Sequence, residues 1–269
     1  MPMLSKTDAA ACGAALFEAE ATRTQIRMMT ADHPGMDMDD AYVIQDAFVQ
    51  RKLAAGGRIT GWKIGLTSKA MQYALGIDIP DSGLLFEDMF FDHGGTVPDD
   101  RFIEPRIEAE IAFIMKHDLA GADVTRGDVI SATEAVAPAL EILDTRIYRA
   151  DPESGATRTV LDTISDNAAN AGVVMGDMRH KVDAFDLRRV GAIVRRNDEV
   201  EETGLGAGVL DDPALSMAWL VHRLASYGEG LRAGDVVLSG SFVRPIEARH
   251  GDHFLADYGP FGSVVIDFV

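Results

Sequence analysis

Two glutamates on one predicted strand are the residues most capable of chemistry in this sequence. The segment PRIEAEIAFIM (residues 105–115) carries Glu108 and Glu110 two positions apart. Alternate side chains of a β-strand share a face, so both carboxylates would lie on one face and apolar residues on the other. Adjacent carboxylates repel each other unless a cation neutralises them. Because oxygen ligands suit hard divalent cations, the pair is consistent with a metal site.

A third carboxylate, Glu141, lies in the segment APALEILD, where the residues on both sides are apolar as in a buried strand. A charge in such surroundings needs a partner. The spacing of the glutamates leaves an alternative open, since a Glu-x-Glu pair is a weak pattern. In that alternative, Glu108 and Glu110 form the solvated face of an edge strand, and Glu141 pairs with an arginine such as Arg106 or Arg146.

Lys63 and Asp81 are candidates for acid–base chemistry. Lys63 lies between Trp62 and Ile64 in GWKIGLTSKA. Apolar neighbours tune the charge state of a lysine, although a surface lysine on an amphipathic strand fits the same pattern. Asp81 lies in PDSG, which predicts a turn.

Polar groups that could bind a substrate carboxylate come from two further segments. TISDNAANAG (residues 163–172) predicts a loop rich in small polar groups and includes Ser165. SGSFVRPI offers Ser241 and Arg244 at the end of a predicted strand. Arg244 could contact a carboxylate through two hydrogen bonds, while a surface ion pair is the alternative.

The elements that must position these residues differ along the chain. Helices are predicted at 7–30, at 40–54 with Asp37 or Asp39 as the cap, at 125–135, and at 213–226 with Asp212 as the cap. Strands are predicted at 59–66, 107–115, 138–143, 170–175, 189–196, 235–243 and 262–268. The pattern favours an α+β fold, in which a mixed sheet is rolled or sandwiched behind a helical N-terminal region.

Composition narrows the class of protein. The chain has 269 residues and a net charge of -18, which argues against nucleic acid and anionic membranes as partners. Its one cysteine excludes an intramolecular disulfide and a cysteine-built zinc site. No apolar run is long enough to span a bilayer and no signal peptide is evident, so we expect a cytoplasmic location. A protein this acidic needs a local positive patch to bind an acidic substrate.

Several long motifs occur in an order that resembles the hydratase/decarboxylase branch of the fumarylacetoacetase superfamily. The motifs are GWKIGLTSKAMQ, PRIEAEIAF, PALEILDTRI, DTISDNAANAG and GSFVRP. The resemblance runs from about residue 20 to the C-terminus. It implies a mixed β-roll over residues 59–269 behind a helical region at 1–58, forming one continuous enzyme. It also implies a homo-oligomer built from dimers.

The resemblance carries particular roles to particular residues. It implies Mg²⁺, with Mn²⁺ also possible, held by Glu108, Glu110 and Glu141, and an active-site lysine at Lys63. The family's Pro-Asp turn is usually followed by an aromatic residue where this chain has Ser82, so a role for Asp81 in activating water is less firmly implied. The candidates for binding substrate carboxylates are Ser165, Ser241 and Arg244.

The implied activity is a hydro-lyase reaction in aromatic catabolism. The segments DPESGATRTVLDTISDNAANAG and EETGLGAGVL favour hydration of a small 2-oxo acid substrate, 2-oxo-hept-4-ene-1,7-dioate or its dienol, in the homoprotocatechuate pathway. The alternatives are decarboxylation of 2-oxo-3-hexenedioate, hydration of 2-oxopent-4-enoate, and a non-catalytic partner subunit of a pathway complex.

Overall fold

The computed structural model describes residues 4–69, 72, 73, 77 and 79–269. The described helices are α1 (Lys6–Thr22), α2 (Met29–Asp32), α3 (Met38–Ala54), α4 (Arg126–Ala132), α5 (Val160–Ser165) and α6 (Pro213–Ala225). The described strands are β1 (Ile59–Gly65), β2 (Asp81–Phe86), β3 (Phe90–Phe91), β4 (Gly95–Val97), β5 (Arg106–Met115), β6 (Thr133–Leu143), β7 (Asn170–Met175), β8 (Gly191–Arg196), β9 (Glu199–Leu205), β10 (Val236–Leu238), β11 (Ile246–Glu247), β12 (His253–Asp257) and β13 (Ser263–Phe268). No helix of this described part is long and apolar enough to cross a membrane.

The N-terminal helices pack on each other through α1 and α3. The predicted helix at 7–30 is wrong beyond Thr22, because Arg23 adopts a left-handed conformation (φ 52°) and its N–H caps the helix end. The helix α3 begins with a capping box in which Asp37 accepts from the backbone N–H of Asp40. A Cβ on Gly13 would lie 2.7 Å from Ala47 backbone and side-chain atoms, so this glycine allows the two helices to approach closely.

The larger sheet has the strand order β2-β1-β10-β5-β6-β7-β3, with β11 also paired to β5. Strand β5 pairs antiparallel with β6 along almost its whole length. The predicted alternation on β5 is confirmed, since Ile107, Ile111 and Phe113 are fully buried on one face. That face joins a large apolar core, and the glutamates of β5 lie on the other face.

The second sheet, in the order β4-β13-β12-β8-β9, packs with α4 and α6 against this core. The predicted α+β class, a mixed roll or sandwich with helices at the N-terminus, is confirmed. The division between residues 58 and 59 stays a prediction. The core around α1 and α3 also includes Phe86, Ile147 and Ile164, which lie beyond that point in the chain.

Three further sequence predictions need correction. The helix predicted at 125–135 ends at Ala132, because Thr133 is already extended and starts β6. The strand predicted at 235–243 stops at Leu238, where Gly240 (φ 118°) turns the chain. The predicted PDSG turn is instead the beginning of β2, since Asp81 pairs with Gly65 of β1.

Candidate active site

Three glutamates converge on the non-core face of the larger sheet. Glu108 of β5 stands directly opposite Glu141 of β6, and Glu110 follows two positions along β5. Carboxylate oxygens of the three residues lie within 4.8 Å of one another. Glu110 and Glu141 are buried and Glu108 is half-buried. The edge-strand alternative is therefore wrong, because β5 lies inside the sheet between β10 and β6.

Hydrogen bonds from distant parts of the chain hold both the side chain and the backbone of Glu110. Gly240 donates its N–H to Glu110 Oε2 at 2.7 Å. The hydroxyl of Tyr258 accepts from the Glu110 N–H and donates to the carbonyl of Ala139 on the next strand. A Cβ on Gly240 would collide with Thr67, so the close approach of this turn to the glutamate depends on glycine.

Lys63 supplies the positive charge at the cluster. Its Nζ lies 3.3 Å from Glu141 Oε1, and both side chains are almost completely buried. Strands β1 and β6 are separated by β10 and β5, so a flat sheet would hold their backbones roughly 14 Å apart. The ion pair therefore depends on the curl of the sheet, which turns the two side chains towards each other.

Asp81 shares this face, because it stands opposite Gly65, two positions after Lys63 on β1. A Cβ on Gly65 would overlap Asp81 Oδ1 and lie 3.1 Å from Lys63 Nζ. The absence of a side chain at Gly65 thus leaves room for the carboxylate beside the ammonium. Asp81 is buried, and Oδ1 accepts no hydrogen bond from the described residues.

The charge states of these groups depend on one another. Burial, together with the nearby Glu141, raises the pKa of Glu108 to about 8. Burial and the two neighbouring glutamates raise the pKa of Glu110 well above its usual value. Burial lowers the pKa of Lys63, but the surrounding carboxylates outweigh it, beginning with Glu141, and the net shift is upward. Carboxylates thus outnumber the single lysine, and the described residues supply too little positive charge to favour the ionised form of all of them.

The donor set fits a hard divalent cation. Both carboxylate oxygens of Glu141 are buried, and their close polar neighbours among the described residues are Lys63 Nζ, 3.3 Å from Oε1, and the carboxyl of Glu110. Neither arginine suggested as its partner takes that role, because Arg146 pairs with Asp166 and the ion pair of Glu141 is with Lys63. Three clustered carboxylates with free lone pairs could hold such a cation.

Strand β2, which carries Asp81, is held by an unusual turn after α5. Asn167, Ala168 and Ala169 all have positive φ, between 52° and 57°, a region that residues other than glycine rarely adopt. In this conformation Asn167 Oδ1 accepts from the Leu84 N–H at 2.8 Å, and its Nδ2 donates to the Leu84 carbonyl at 3.0 Å. These two hydrogen bonds fix the position of β2 relative to the turn.

In the structure, each predicted substrate-binding residue already has a partner within the chain. Ser165 lies in α5 and not in the predicted loop, and its hydroxyl donates to the Leu161 carbonyl. Ser241 follows the Gly240 turn, and its hydroxyl donates to the Val243 carbonyl at 2.8 Å. Arg244 is 79% exposed and pairs with Glu202, 2.7 Å from Nε. Their roles stay predictions.

Three half-buried arginines lie near the cluster, and the sequence analysis named only Arg106 of these, as a possible partner of Glu141. Arg106 lies on the Glu108 face of β5, as the alternation in PRIEAE indicates. Arg158 and Arg223 lower the pKa of Asp81, although burial outweighs them. Arg223 also stacks on the ring of Tyr42, 3.6 Å from its centroid. No local pattern marks these last two, because their positions depend on long-range packing.

The family model for the fumarylacetoacetate (FAA) hydrolase C-terminal region matches residues 68–269. The chain belongs to this family. It is 50% identical over 254 residues to 2-oxo-hept-4-ene-1,7-dioate hydratase from Escherichia coli, covering 94% of this chain and 95% of that protein. It is 36% identical to 2-keto-4-pentenoate hydratase from Paraburkholderia xenovorans (strain LB400), covering 94% and 92% respectively. The structure of 4-oxalocrotonate decarboxylase from Pseudomonas putida G7, complexed with magnesium and adipate, matches with a TM-score of 0.94, 32% identity and complete coverage of both chains.

Proposed function

We propose that this protein is a divalent-metal-dependent hydro-lyase. It adds water to 2-oxo-hept-4-ene-1,7-dioate, or to its dienol, and yields 4-hydroxy-2-oxoheptane-1,7-dioate in aromatic catabolism. The observation that carries the proposal is the buried Lys63–Glu141 pair inside a cluster of three glutamates. The 50% identity to a hydratase of this substrate supports the choice of reaction.

Glu108, Glu110 and Glu141 would hold Mg²⁺, and Mn²⁺ suits the same oxygen ligands. The cation would supply Lewis-acid stabilisation of the negative charge that develops on the C2 oxygen of the substrate. Glu110 keeps its position because Gly240 and Tyr258 hold its carboxylate and its backbone.

Lys63 and Asp81 would move the protons. Lys63 remains charged at neutral pH because the carboxylates raise its pKa, so it has a proton to give to C5 of the dienol. It then recovers a proton from the C2 hydroxyl. Asp81 would accept a proton from the water that attacks C4 and return it to C3, which balances the addition. The room at Gly65 keeps these two groups side by side.

Substrate carboxylates, location and assembly are finer parts of the proposal. Ser165, Ser241 and Arg244 remain candidates for binding substrate carboxylates, but Arg244 would have to exchange Glu202 for the substrate. A cytoplasmic location and a homo-oligomer built from dimers are proposed from the family resemblance.

Decarboxylation is the second candidate, because the structure of a decarboxylase superposes over the whole chain. Product analysis separates the two reactions. The purified protein is incubated with 2-hydroxyhepta-2,4-diene-1,7-dioate and with 2-oxo-3-hexenedioate, with Mg²⁺ or with chelator, beside the Glu141→Gln variant.

We expect a Mg²⁺-dependent 4-hydroxy product from the seven-carbon substrate and none from the variant. Carbon dioxide release from the six-carbon substrate without hydration of the seven-carbon one would replace the proposal by decarboxylation. No turnover of either compound would support a non-catalytic partner subunit.

A further inference from the structure

Arg106 and Arg158 are half-buried arginines without an ion pair. No carboxylate oxygen of the described residues lies within 4.0 Å of a guanidinium nitrogen of either arginine. The Nε of Arg106 is buried and has no hydrogen-bond partner in that part of the chain. Arg158 donates to the hydroxyl of Thr145, a neutral group. Two guanidinium groups with spare donors are unexpected in a chain with a net charge of -18.

Other arginines already bind the carboxylates around this pair. Arg149 lies 2.8 Å from Glu104 and 3.6 Å from Glu247, two of the acids that act on Arg106; a third, Glu108, belongs to the carboxylate cluster. Likewise, the acid that acts on Arg158 is Asp166, and Arg146 binds it at 2.5 Å. The positive charges of Arg106 and Arg158 are therefore not neutralised by an ion pair with the described residues.

The pair borders the carboxylate cluster. Arg106 shares a strand face with Glu108, two residues away, which corresponds to roughly 7 Å along the strand. Arg158 also acts electrostatically on Asp81, which lies beside Lys63. Arg106 stands opposite Leu143 on β6, and the guanidinium of Arg158 donates to the hydroxyl of Thr145, two residues after Leu143, so the two arginines are neighbours. Burial mainly lowers the pKa of Arg158, and Arg106 lowers it further. An anion between them would relieve that repulsion.

We propose that Arg106 and Arg158 form the subsite for the distal carboxylate of a dicarboxylate substrate. The inference rests on the proposed function, in which the glutamates and their cation bind the C1 end. A seven-carbon acid has six carbon–carbon bonds between its carboxylates and spans roughly 7.5 Å when extended. This length suits a subsite one strand repeat from Glu108. Arginine forks bind carboxylates through paired hydrogen bonds.

Binding of saturated analogues tests the subsite without turnover. Calorimetry in saturating Mg²⁺ compares 2-oxoheptane-1,7-dioate with 2-oxopentanoate for the wild type, Arg158→Gln, Arg106→Lys and Arg244→Ala. Arg106→Lys keeps a positive charge beside Glu108, so the affinity for Mg²⁺, measured in parallel, should hold. Arg51→Gln is the matched control, because it removes one positive charge from the exposed face of α3.

Arg158→Gln should weaken diacid binding by about tenfold to a hundredfold, as expected for a lost charged hydrogen bond. Binding of the monoacid should change less than about twofold, and Arg51→Gln should leave the preference for the diacid intact. Arg106→Lys should show a smaller loss of the same kind.

Equal losses on both ligands, or loss of the preference in Arg244→Ala alone, would overturn the assignment. A wild type that binds both ligands equally would overturn it too. A wild type that prefers the diacid through Arg158 but does not hydrate the dienol would keep the subsite and refute only the proposed reaction.

Discussion

Two of the buried groups of charges in the described part of the chain are built differently. Arg146 and Asp166 are almost completely buried and saturate each other. The guanidinium donates to the Asp166 carboxylate, to its backbone carbonyl and to the carbonyl of Asn170, while the backbone N–H of Arg146 donates to the second carboxylate oxygen. At the other group, Glu141 is equally buried, yet its close polar neighbours among the described residues are one ammonium, that of Lys63, and the carboxyl of Glu110 in the same cluster.

The difference separates a structural ion pair from a binding site. Around Arg146 the chain supplies its own partners, so an added ligand would have nothing to bind. Around Lys63, four carboxylates share one ammonium, and lone pairs remain free. Buried polar groups normally have partners, so a buried cluster with more carboxylates than donors indicates a ligand that the chain alone does not provide.

Replacing Lys63 should have the greatest effect, and the effect should be on kcat. Lys63→Met should lower kcat by about 10²–10⁴-fold in saturating Mg²⁺, because general acid–base groups contribute about that much. Steady-state kinetics with a parallel Mg²⁺ titration provide the measurement. A purely structural lysine would instead give normal kcat in the fraction of protein that folds.

The second prediction concerns the contribution of the Arg146–Asp166 ion pair to stability. Asp166→Ala should lower the free energy of unfolding by about 3–5 kcal/mol, since Arg146 is left buried and uncompensated. The matched change at the site, Glu110→Gln, should leave the stability of the metal-free protein within about 1 kcal/mol. Burial and the neighbouring glutamates disfavour the charged form of Glu110, so a neutral side chain removes that cost and offsets the altered hydrogen bond.

Urea denaturation in the presence of chelator checks both variants. If Asp166→Ala does not fold, the double variant Arg146→Met, Asp166→Leu provides the second measurement, and it should fold because it leaves no unpaired charge. Equal destabilisation by the two single variants would show that Asp166 and Glu110 contribute equally to stability, which contradicts the distinction between the two buried groups.

The smallest effect is stabilisation by the metal itself. Mg²⁺ at a hundred times its dissociation constant should stabilise the wild type by about 2.7 kcal/mol through mass action. Glu141→Gln should lose most of this gain, whereas Arg51→Gln should keep it. Thermal unfolding with Mg²⁺ or chelator measures the difference, and an equal gain in all three proteins would place the cation elsewhere.

Local patterns predicted the parts of the fold that local physics determines. The alternation along β5 indicated both its apolar face and the shared face of Glu108 and Glu110, and Asp212 was recognised as the cap of α6. The motif PDSG was wrongly interpreted as a turn. Gly83 instead lets β2 approach the backbone of Asn167, since a Cβ there would lie 2.5 Å from its carbonyl oxygen.

The site was only partly predictable, for a related reason. The motifs identified Lys63 and the three glutamates through the family resemblance, but the contact between Lys63 and Glu141 depends on the curl of the sheet. The free charges of Arg106 and Arg158 depend on which acids Arg149 and Arg146 bind. These ion pairs join residues that are far apart in the sequence, so the spacing of residues along the chain does not predict them.

The recessed arginine pair also affects how fast a dianionic substrate arrives. The net charge of -18 repels a dianion at long range, whereas Arg106 and Arg158 attract it only once it has entered the site. Salt screens the long-range repulsion beyond about 10 Å at 0.1 M, and it weakens the contact inside a half-buried subsite much less. Added salt should therefore accelerate the encounter with a dicarboxylate, which is the reverse of the usual electrostatic steering of a ligand towards an oppositely charged protein.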